Sequence, residues 1–224
     1  LSAQNLTVLT TEEPPLSFEK NGAATGFSTD IVTEIMSRVG IPYSIDVMPW
    51  ARVYKTGLLS KNTVIFTMAR THSREDLFQW VGPIVRKKWI LYRHKNNEMK
   101  FNHLLEVKNK SIVVVQNDAR AVYLREKGFE NIYEVNNNSI ALNMLMKGRA
   151  DLWASSDFEG PVIVKDSGYK MSELKKAHTF NVIESYIGFS KNTPLTIVTQ
   201  WRDAFAEIKR DGTLDVIAKK WSQL

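Results

Sequence analysis

The sequence ARTHSREDLFQWVGPI, residues 69–84, carries the features that decide the fold of this chain. It follows an apolar, β-branched run at residues 64–66 (VIF), which predicts a buried strand. Arg70 then stands where that strand ends, and Arg74 follows about one helical turn later. Two guanidinium groups beside a run of backbone N–H groups favour a carboxylate or a phosphate. The stretch therefore predicts an anion-binding corner, with a solvated basic surface as the alternative.

Two further features of this stretch predict what surrounds the corner. Thr71 and Ser73 are residues that favour helix N-caps, so a helix is expected to begin between the two arginines. The dipeptide at residues 82–83 (GP) breaks the chain, and residues 89–92 (WILY) begin a new apolar segment. The sequence therefore predicts that the chain crosses into a second lobe directly after the corner.

Length and composition limit the class of protein. The chain has 224 residues, which suffices for two lobes of roughly 100 residues each. A hydrophobic content of 43% and a charged content of 24% are typical of a soluble globular protein, and no apolar run approaches the roughly 20 residues that span a membrane. There is no cysteine, which excludes a disulfide framework and thiolate chemistry. The net charge of +6 comes from Lys and Arg interleaved with Asp and Glu, so no nucleic-acid partner is predicted.

Strand and helix patterns alternate along the whole chain. Apolar strands at residues 6–10, 43–47, 111–115 and 150–154 are each followed by a polar loop. This alternation predicts an α/β fold with mostly parallel central sheets, in which ligands lie beyond the carboxyl ends of the strands. The candidate ligand contacts at these strand ends are Thr11, Glu12, Trp50, Arg52, Asn117, Asp118, Ala119, Arg120, Ser156 and Asp157.

The residue types of these strand-end loops indicate different roles in ligand binding or in the fold. In a ligand site, Trp50 would offer a ring for stacking and Arg52 a hydrogen-bond donor to an anion. The alternative is that Trp50 is a core residue and Arg52 a surface residue. The loop at residues 116–120 precedes a helix, which is the geometry that holds an anion on backbone amides. Ser156 and Asp157 either receive a ligand ammonium group or cap the next helix, and the residues alone favour the cap.

Motifs for cofactors and metals are missing from these loops. The loop at residues 116–120 lacks the glycines of a Walker loop or a dinucleotide fingerprint, so nucleotide binding is not predicted. The four histidines are scattered without the spacing of metal ligands. We therefore predict neither a cofactor nor a metal ion.

Taken together, these segments resemble the bacterial extracellular solute-binding proteins of family 3, the amino-acid-type periplasmic binding proteins of ABC importers. The resemblance covers nearly the whole chain and rests on the order and spacing of short segments. The segments are TEEPP at 11–15, GFSTD at 26–30, PW at 49–50, RTHSRE at 70–75, GRAD at 148–151, GT at 212–213 and KKW at 219–221.

The resemblance implies an α/β, two-lobed periplasmic-binding-protein type II fold with mostly parallel central sheets and two hinge strands. Lobe 1 is expected to comprise residues 1–84 and 188–224, and lobe 2 residues 88–183. The hinge crossings are expected near residues 84–88 and 183–188. Such a protein closes on its ligand by a hinge motion.

The resemblance also implies roles for residues of lobe 1. Arg74 matches the arginine that grips the α-carboxylate of an amino acid, and Trp50 matches an aromatic wall of the side-chain pocket. Thr67 and Ala69 match the backbone and hydroxyl positions just before that arginine. Ala69 departs from the family pattern, because a threonine is usual there.

Further matches and departures concern the rest of the site. The loop at residues 117–120 matches a ligand-binding helix N-terminus of lobe 2, and Ser156 or Asp157 matches the acidic position that takes the α-ammonium. Thr11, with Glu12 next to it, stands at the acidic position after the first strand. Three additional arginines favour a more anionic ligand, such as an acidic amino acid, a dicarboxylate or a small carboxylic acid. They are Arg52, Arg70 and Arg120.

The function that the resemblance implies is capture of a small anionic or zwitterionic solute, an amino acid or a carboxylate, and its delivery to an ABC permease. We expect a monomer in the periplasm, exported with a signal peptide that is removed. One alternative is the ligand-sensing ectodomain of a membrane receptor, which requires a transmembrane helix after residue 224. The other is an enzyme similar to cyclohexadienyl dehydratase that recruits Glu12, Glu13 or Asp157. Since no nucleophile–base pair is present, a non-enzyme is predicted.

Overall fold

The computed structural model describes residues 6–42 and 44–221, and these divide into two compact units. Unit 1 comprises the described residues up to Arg86 and those from Glu184 onward, and unit 2 comprises Lys87–Ile183. The helices and strands are, in chain order, β1 (Thr7–Thr10), β2 (Phe18–Lys20), β3 (Ala23–Thr25), α1 (Phe27–Arg38), β4 (Ile45–Val47), α2 (Trp50–Leu59), β5 (Thr63–Ala69), β6 (Phe78–His94), β7 (Ile112–Val115), α3 (Ala119–Glu126), β8 (Ile132–Val135), α4 (Asn138–Met146), β9 (Leu152–Ser156), α5 (Glu159–Asp166), β10 (Leu174–Ser190), α6 (Leu195–Arg210) and α7 (Thr213–Trp221).

Both boundaries between the units fall inside long strands. The chain passes from unit 1 to unit 2 within β6 and returns within β10, and each of these strands has 17 residues. The residue numbers expected for the hinge crossings, near 84–88 and 183–188, lie within these two strands.

The sheet of unit 1 is built around β5. Strand β1 pairs in parallel with β4 and β5, while β10 pairs antiparallel with β5. All seven residues of β5 are buried, which explains why the strand reads as an almost continuous apolar run. Its Phe66 belongs to a core cluster that also includes Ile31 of α1 and Trp201 of α6. Burial of these apolar side chains stabilises unit 1.

Unit 2 repeats the same arrangement around β7. Strand β7 pairs in parallel with β8 and β9, and β6 pairs antiparallel with β9. Its core cluster includes Val113 of β7, Leu142 of α4 and Trp153 of β9. The α/β fold with mostly parallel sheets, predicted from the alternation of strands and helices, is confirmed in both units.

The helices that cover these sheets are short or amphipathic. Helix α6 has 16 residues and buries Ile197, Trp201, Phe205 and Ile208, whose spacing of three to four residues forms one apolar face. No helix among residues 6–42 and 44–221 combines the length and the apolar character needed to cross a membrane.

The segment between β5 and β6 differs from its prediction. It forms a 3₁₀ helix at His72–Leu77, and Thr71 stands at its N-cap without a capping hydrogen bond from the side chain. The Thr71 Oγ1 atom lies 3.1 Å from Ser73 Oγ instead. Thr71 therefore occupies the predicted N-cap position, but neither Thr71 nor Ser73 forms the predicted capping hydrogen bond. Strand β6 begins directly at Phe78, so the segment is too short to repay the cost of nucleating an α-helix.

The second predicted strand is also shorter than expected. The sequence pattern placed it at residues 43–47, whereas the structure has β4 at Ile45–Val47. Residue 43 lies outside the described residues.

Candidate functional site

Five aromatic side chains of unit 1 form a continuous row of ring contacts, which we call the aromatic row. Trp50 stacks on Tyr54 with the ring centroids 5.4 Å apart, and Tyr54 meets Phe78 at 5.9 Å. Phe78 then meets Trp80 at 5.6 Å, and Trp80 meets Tyr186 at 6.0 Å. These separations lie in the range of favourable ring pairs. The aromatic row thus connects α2, β6 and β10 within unit 1.

Arg74 lies at one end of the aromatic row. Its Cζ atom is 5.0 Å from the ring centroid of Trp50 and 4.8 Å from that of Tyr54, and the residue is only 5% exposed. One of its NH1 hydrogens is donated to the backbone oxygen of Ala69 at 3.3 Å. A guanidinium that lies on two ring faces has a defined orientation, which suits bidentate binding of a carboxylate. The structure thus places Arg74, Trp50 and Ala69, three of the predicted contacts, together.

Arg70 lies at the other end of the aromatic row. Its Cζ atom is 5.6 Å from the ring centroid of Trp80 and 5.0 Å from that of Tyr186. Its Nε and NH2 groups donate to the two carboxylate oxygens of Glu75 at 2.8 and 2.5 Å, which raises the pKa of Arg70 and lowers that of Glu75. The structure therefore places Arg70 and Arg74, predicted to share one corner, on different ring pairs.

Strand β5 carries a backbone irregularity next to the Arg74 end. Thr67 has a φ of 63°, and the register between β10 and β5 shifts between Tyr186 and Gly188. The Thr67 hydroxyl donates to Ser17 Oγ at 3.2 Å, and Ser17 Oγ donates to the backbone oxygen of Thr11 at 2.9 Å. Bulges and left-handed non-glycine residues are concentrated at functional sites. Two hydrogen bonds through Ser17 thus connect Thr67, at the bulge, with Thr11, and both are predicted contacts.

The remaining predicted contacts of unit 1 are placed as follows. Glu12 accepts a hydrogen bond from the backbone N–H of Glu19 at 2.9 Å, and desolvation raises the pKa of its carboxyl group. Arg52 is exposed on α2, two residues after Trp50. Arg52 therefore adds positive charge at the surface of this helix.

In unit 2, Arg120 is part of a buried hydrogen-bond network. Its NH1 group donates to Glu159 at 3.0 Å, and its Nε and NH2 groups donate to the two oxygens of Asp118 at 2.9 and 2.8 Å. Glu159 also accepts from Asn138 Nδ2 at 2.5 Å and from Ser155 Oγ at 3.1 Å. The side chains of Arg120 and Glu159 are 7% and 2% exposed. The guanidinium of Arg120 is thus neutralised by carboxylates of its own unit.

The polar residues at the strand ends of unit 2 stabilise the starts of two helices. Asp118 accepts from the backbone N–H of Arg120 at 2.7 Å and caps α3, whose first residue is Ala119. Ser156 Oγ accepts from the backbone N–H of Glu159 at 3.1 Å at the start of α5. This hydrogen bond agrees with the capping role that the residues alone favoured for Ser156, although the N-cap residue of α5 is Phe158.

Two further predicted contacts of unit 2 make backbone hydrogen bonds to their own unit. Asp157 Oδ1 accepts from the backbone N–H of Lys88 at 2.9 Å. The backbone N–H of Asn117, a residue with a φ of 57°, donates to Glu134 at 2.8 Å. Both residues therefore tie the strand ends to neighbouring strands, and the helix cap that the residues favoured for Asp157 is wrong, since its carboxylate binds the backbone of Lys88.

Sequence reasoning missed Glu159, the centre of the buried network. The signal that points to it is the Ser-x-x-Glu spacing from Ser156 to Glu159, which is typical of a helix N-terminus. Ser17 and Tyr54 carry no comparable signal. Among the described residues, no group of three or more His, Cys, Asp or Glu side chains is arranged to hold a metal ion.

Known proteins share both the sequence pattern and the fold. The family described as bacterial extracellular solute-binding proteins, family 3, matches residues 6–223. The L-cystine-binding protein TcyA of Bacillus subtilis (strain 168) is 26% identical over 199 residues, which cover 88% of this chain and 72% of TcyA.

Solved structures with low sequence identity have the same fold. A P235GK mutant of ArgBP from T. maritima superposes with a TM-score of 0.85 at 19% identity, covering 98% of this chain and 96% of that one. A histidine kinase sensor domain with similarity to periplasmic binding proteins gives a TM-score of 0.87 at 14% identity, covering 96% and 95%. The predicted periplasmic-binding-protein fold is confirmed.

Proposed function

The chain belongs to the bacterial extracellular solute-binding proteins of family 3, and on this premise we propose that it captures an amino acid or a small carboxylate for an ABC importer. The observation that carries the proposal is the buried guanidinium of Arg74 on the rings of Trp50 and Tyr54. A relative with 26% identity is named as a binding protein for L-cystine, which is an amino acid. We propose no catalytic role for the chain.

We propose that Arg74 binds the α-carboxylate of the ligand. Hydrogen bonds between a guanidinium and a carboxylate contribute about 1.5–3 kcal/mol each, because both partners are charged. The two ring faces preorganise the guanidinium, so little rotamer freedom is lost on binding. Thr67, at the β-bulge that precedes Arg74, is the neighbouring contact in this proposal.

The charge of the ligand follows from which arginines are already paired. Arg70 is paired with Glu75, and Arg120 with Asp118 and Glu159. Their charges are compensated within the protein, so they do not demand an additional anionic group on the ligand. We therefore propose a zwitterionic amino acid as the ligand in preference to a dicarboxylate.

Delivery and location complete the proposal. We propose that the protein acts as a monomer in the periplasm, after removal of a signal peptide. We also propose that it closes on the ligand, with β6 and β10 as hinge strands, and then presents it to a permease. Deletion of the gene should then abolish uptake of the radiolabelled ligand. If the protein is instead a sensor domain of the histidine-kinase type, the same deletion would leave uptake intact and abolish a transcriptional response to the ligand.

The binding proposal is tested with a ligand screen and a matched pair of arginine variants. Amino acids and small carboxylates are screened by thermal shift. A ligand at about 100 times its Kd should stabilise the protein by about 2.7 kcal/mol, or roughly 5–10 °C in Tm. Calorimetry then compares Arg74→Met with Arg210→Met, an exposed arginine at the end of α6.

The expected difference between the two variants is large. Arg74→Met should weaken binding by about 100-fold, since about 3 kcal/mol of charge-assisted hydrogen bonding is lost. Arg210→Met should bind like the wild type. Arg74→Lys, which keeps the charge but loses the planar fork, should show an intermediate affinity. Equal affinities of the wild type and Arg74→Met would refute the assigned role of Arg74.

A further inference from the structure

Unit 1 contains a cationic groove that the proposed amino-acid site does not use. The groove has a volume of about 390 Å³, and three of the residues that line it are Arg70, Arg202 and Lys209. Among the described residues that line this groove none is acidic, and Glu75, which pairs with Arg70, lies outside the lining. Its volume lies in the range of about 300–1,000 Å³ that is typical of sites for small molecules. We call this feature the polyanion groove.

One wall of the polyanion groove is a single face of α6. Arg202, Phe205, Ala206 and Lys209 recur at intervals of three and four residues, so they lie on one side of the helix. Arg202 and Lys209 are separated by about two turns, or about 10 Å along the helix axis. The small Ala206 between them leaves room for a bound group, and Lys209 Nζ lies 4.8 Å from the centroid of Phe205.

The rest of the groove lining comes from the Arg70 end of the aromatic row. Arg70 lies on the rings of Trp80 and Tyr186 and is held by Glu75, which uses two of the five N–H donors of a guanidinium. Gly82 also lines the groove, and a Cβ atom at this position would come within 2.8 Å of Tyr186 Cδ1. The orientation of Arg70 is therefore set by its protein contacts, without a ligand.

The charges of α6 that line the groove are not neutralised by the helix itself. Glu207 lies outside the groove lining, with a carboxylate oxygen 3.8 Å from Arg38 NH1. Arg202 and Lys209 are both exposed. The two α6 cations, Arg202 and Lys209, create a local positive potential at the groove, and an anion relieves their repulsion, whereas the charge of Arg70 is already compensated by Glu75.

We propose that the polyanion groove binds a small molecule with two or more anionic groups, carboxylates or phosphates. Arg202 and Lys209 engage two separate anionic groups across the span of about two turns, and Arg70, which keeps N–H donors that Glu75 does not use, adds a hydrogen-bond donor to the same groove. A single monoanion reaches only one of the two helix cations at a time. Arg74 does not line the polyanion groove, so this site is distinct from the amino-acid site proposed at Arg74.

The test uses two polyanions of different chemistry as probes. Citrate and inorganic pyrophosphate are titrated into the protein by calorimetry at low ionic strength, and acetate serves as the monoanion control. Each polyanion is expected to bind one site, and acetate to bind at least tenfold more weakly than the better polyanion. The arm with the higher affinity identifies carboxylate or phosphate as the preferred group.

The site is located with a charge-matched pair of double variants. Arg202→Ala/Lys209→Ala removes both cations of the α6 wall, and Ala preserves the helix. Lys20→Ala/Lys61→Ala removes the same charge from two exposed positions of unit 1 that do not line the groove. The first variant should bind the preferred probe at least tenfold more weakly, and the second should bind it like the wild type.

The outcomes that overturn the proposal are equally specific. Absence of binding by both polyanions would overturn it. So would an equal loss in the two double variants, which would indicate a diffuse effect of net charge. The Arg74→Met variant is expected to bind the probe with the affinity of the wild type. The groove can therefore be tested even if the proposed amino-acid site at Arg74 is refuted.

Discussion

Removal of the Glu159 carboxylate tests how unit 2 is stabilised. This side chain is 2% exposed and accepts hydrogen bonds from Arg120, Asn138 and Ser155. Glu159→Ala leaves Arg120 with Asp118 as its only carboxylate partner in the described network, and it deprives two neutral donors of their acceptor. Loss of one member of a buried ion pair costs about 3–5 kcal/mol. We expect Glu159→Ala to lower the free energy of unfolding by that amount.

A milder substitution separates charge from shape. Glu159→Gln keeps the volume and an acceptor oxygen but removes the negative charge opposite Arg120. Its expected cost is about 1.5–3 kcal/mol, the range for a hydrogen bond to a charged group. The double variant Glu159→Gln/Arg120→Met lacks both buried charges. Its loss of unfolding free energy should therefore be smaller than the sum of the losses of the two single variants.

The assay is urea unfolding followed by far-UV circular dichroism, with the midpoints compared at an unchanged slope m. Glu126→Ala, an exposed position at the end of α3 in the same unit, serves as the control and should change stability by at most about 0.5 kcal/mol. If Glu159→Ala unfolds within about 1 kcal/mol of the wild type, the network does not stabilise unit 2 as inferred.

Two further substitutions test local features of unit 1. Gly26 has a φ of 129°, and a Cβ atom there would lie 2.3 Å from the backbone oxygen of Leu16. Gly26→Ala should therefore lower the free energy of unfolding by more than about 2 kcal/mol, measured as a lower urea midpoint. An unchanged midpoint would contradict this. The pKa of Asp211 is lowered from 3.8 to about 2, by hydrogen bonds from the hydroxyl and then the N–H of Thr213 and by Arg38. Its contribution is therefore complete above pH 3.8 and lost as the pH falls through about 2, so the stability difference between wild type and Asp211→Asn should shrink over that interval; a constant difference would contradict it.

Local sequence pattern was enough to determine the class of fold. The apolar, β-branched segment that became β5 is buried at all seven positions, and burial on both faces is what such a run requires. The spacing of Ile197, Trp201 and Ile208 likewise determined one apolar face of α6. These features follow from the periods of strands and helices, which depend only on neighbouring residues.

Tertiary structure alone decided the long-range contacts of the charged side chains. Arg70 and Arg74 are four residues apart, yet one stacks on Tyr186 of β10 and the other on Trp50 of α2. Arg120, read from the sequence as an anion contact, is neutralised by Glu159. Such partners lie far away in sequence, and the register of β10 against β5, with its bulge at Thr67, sets which side chains meet at the end of β5. No local period encodes that register, so the pairing of these charges became visible only in the folded chain.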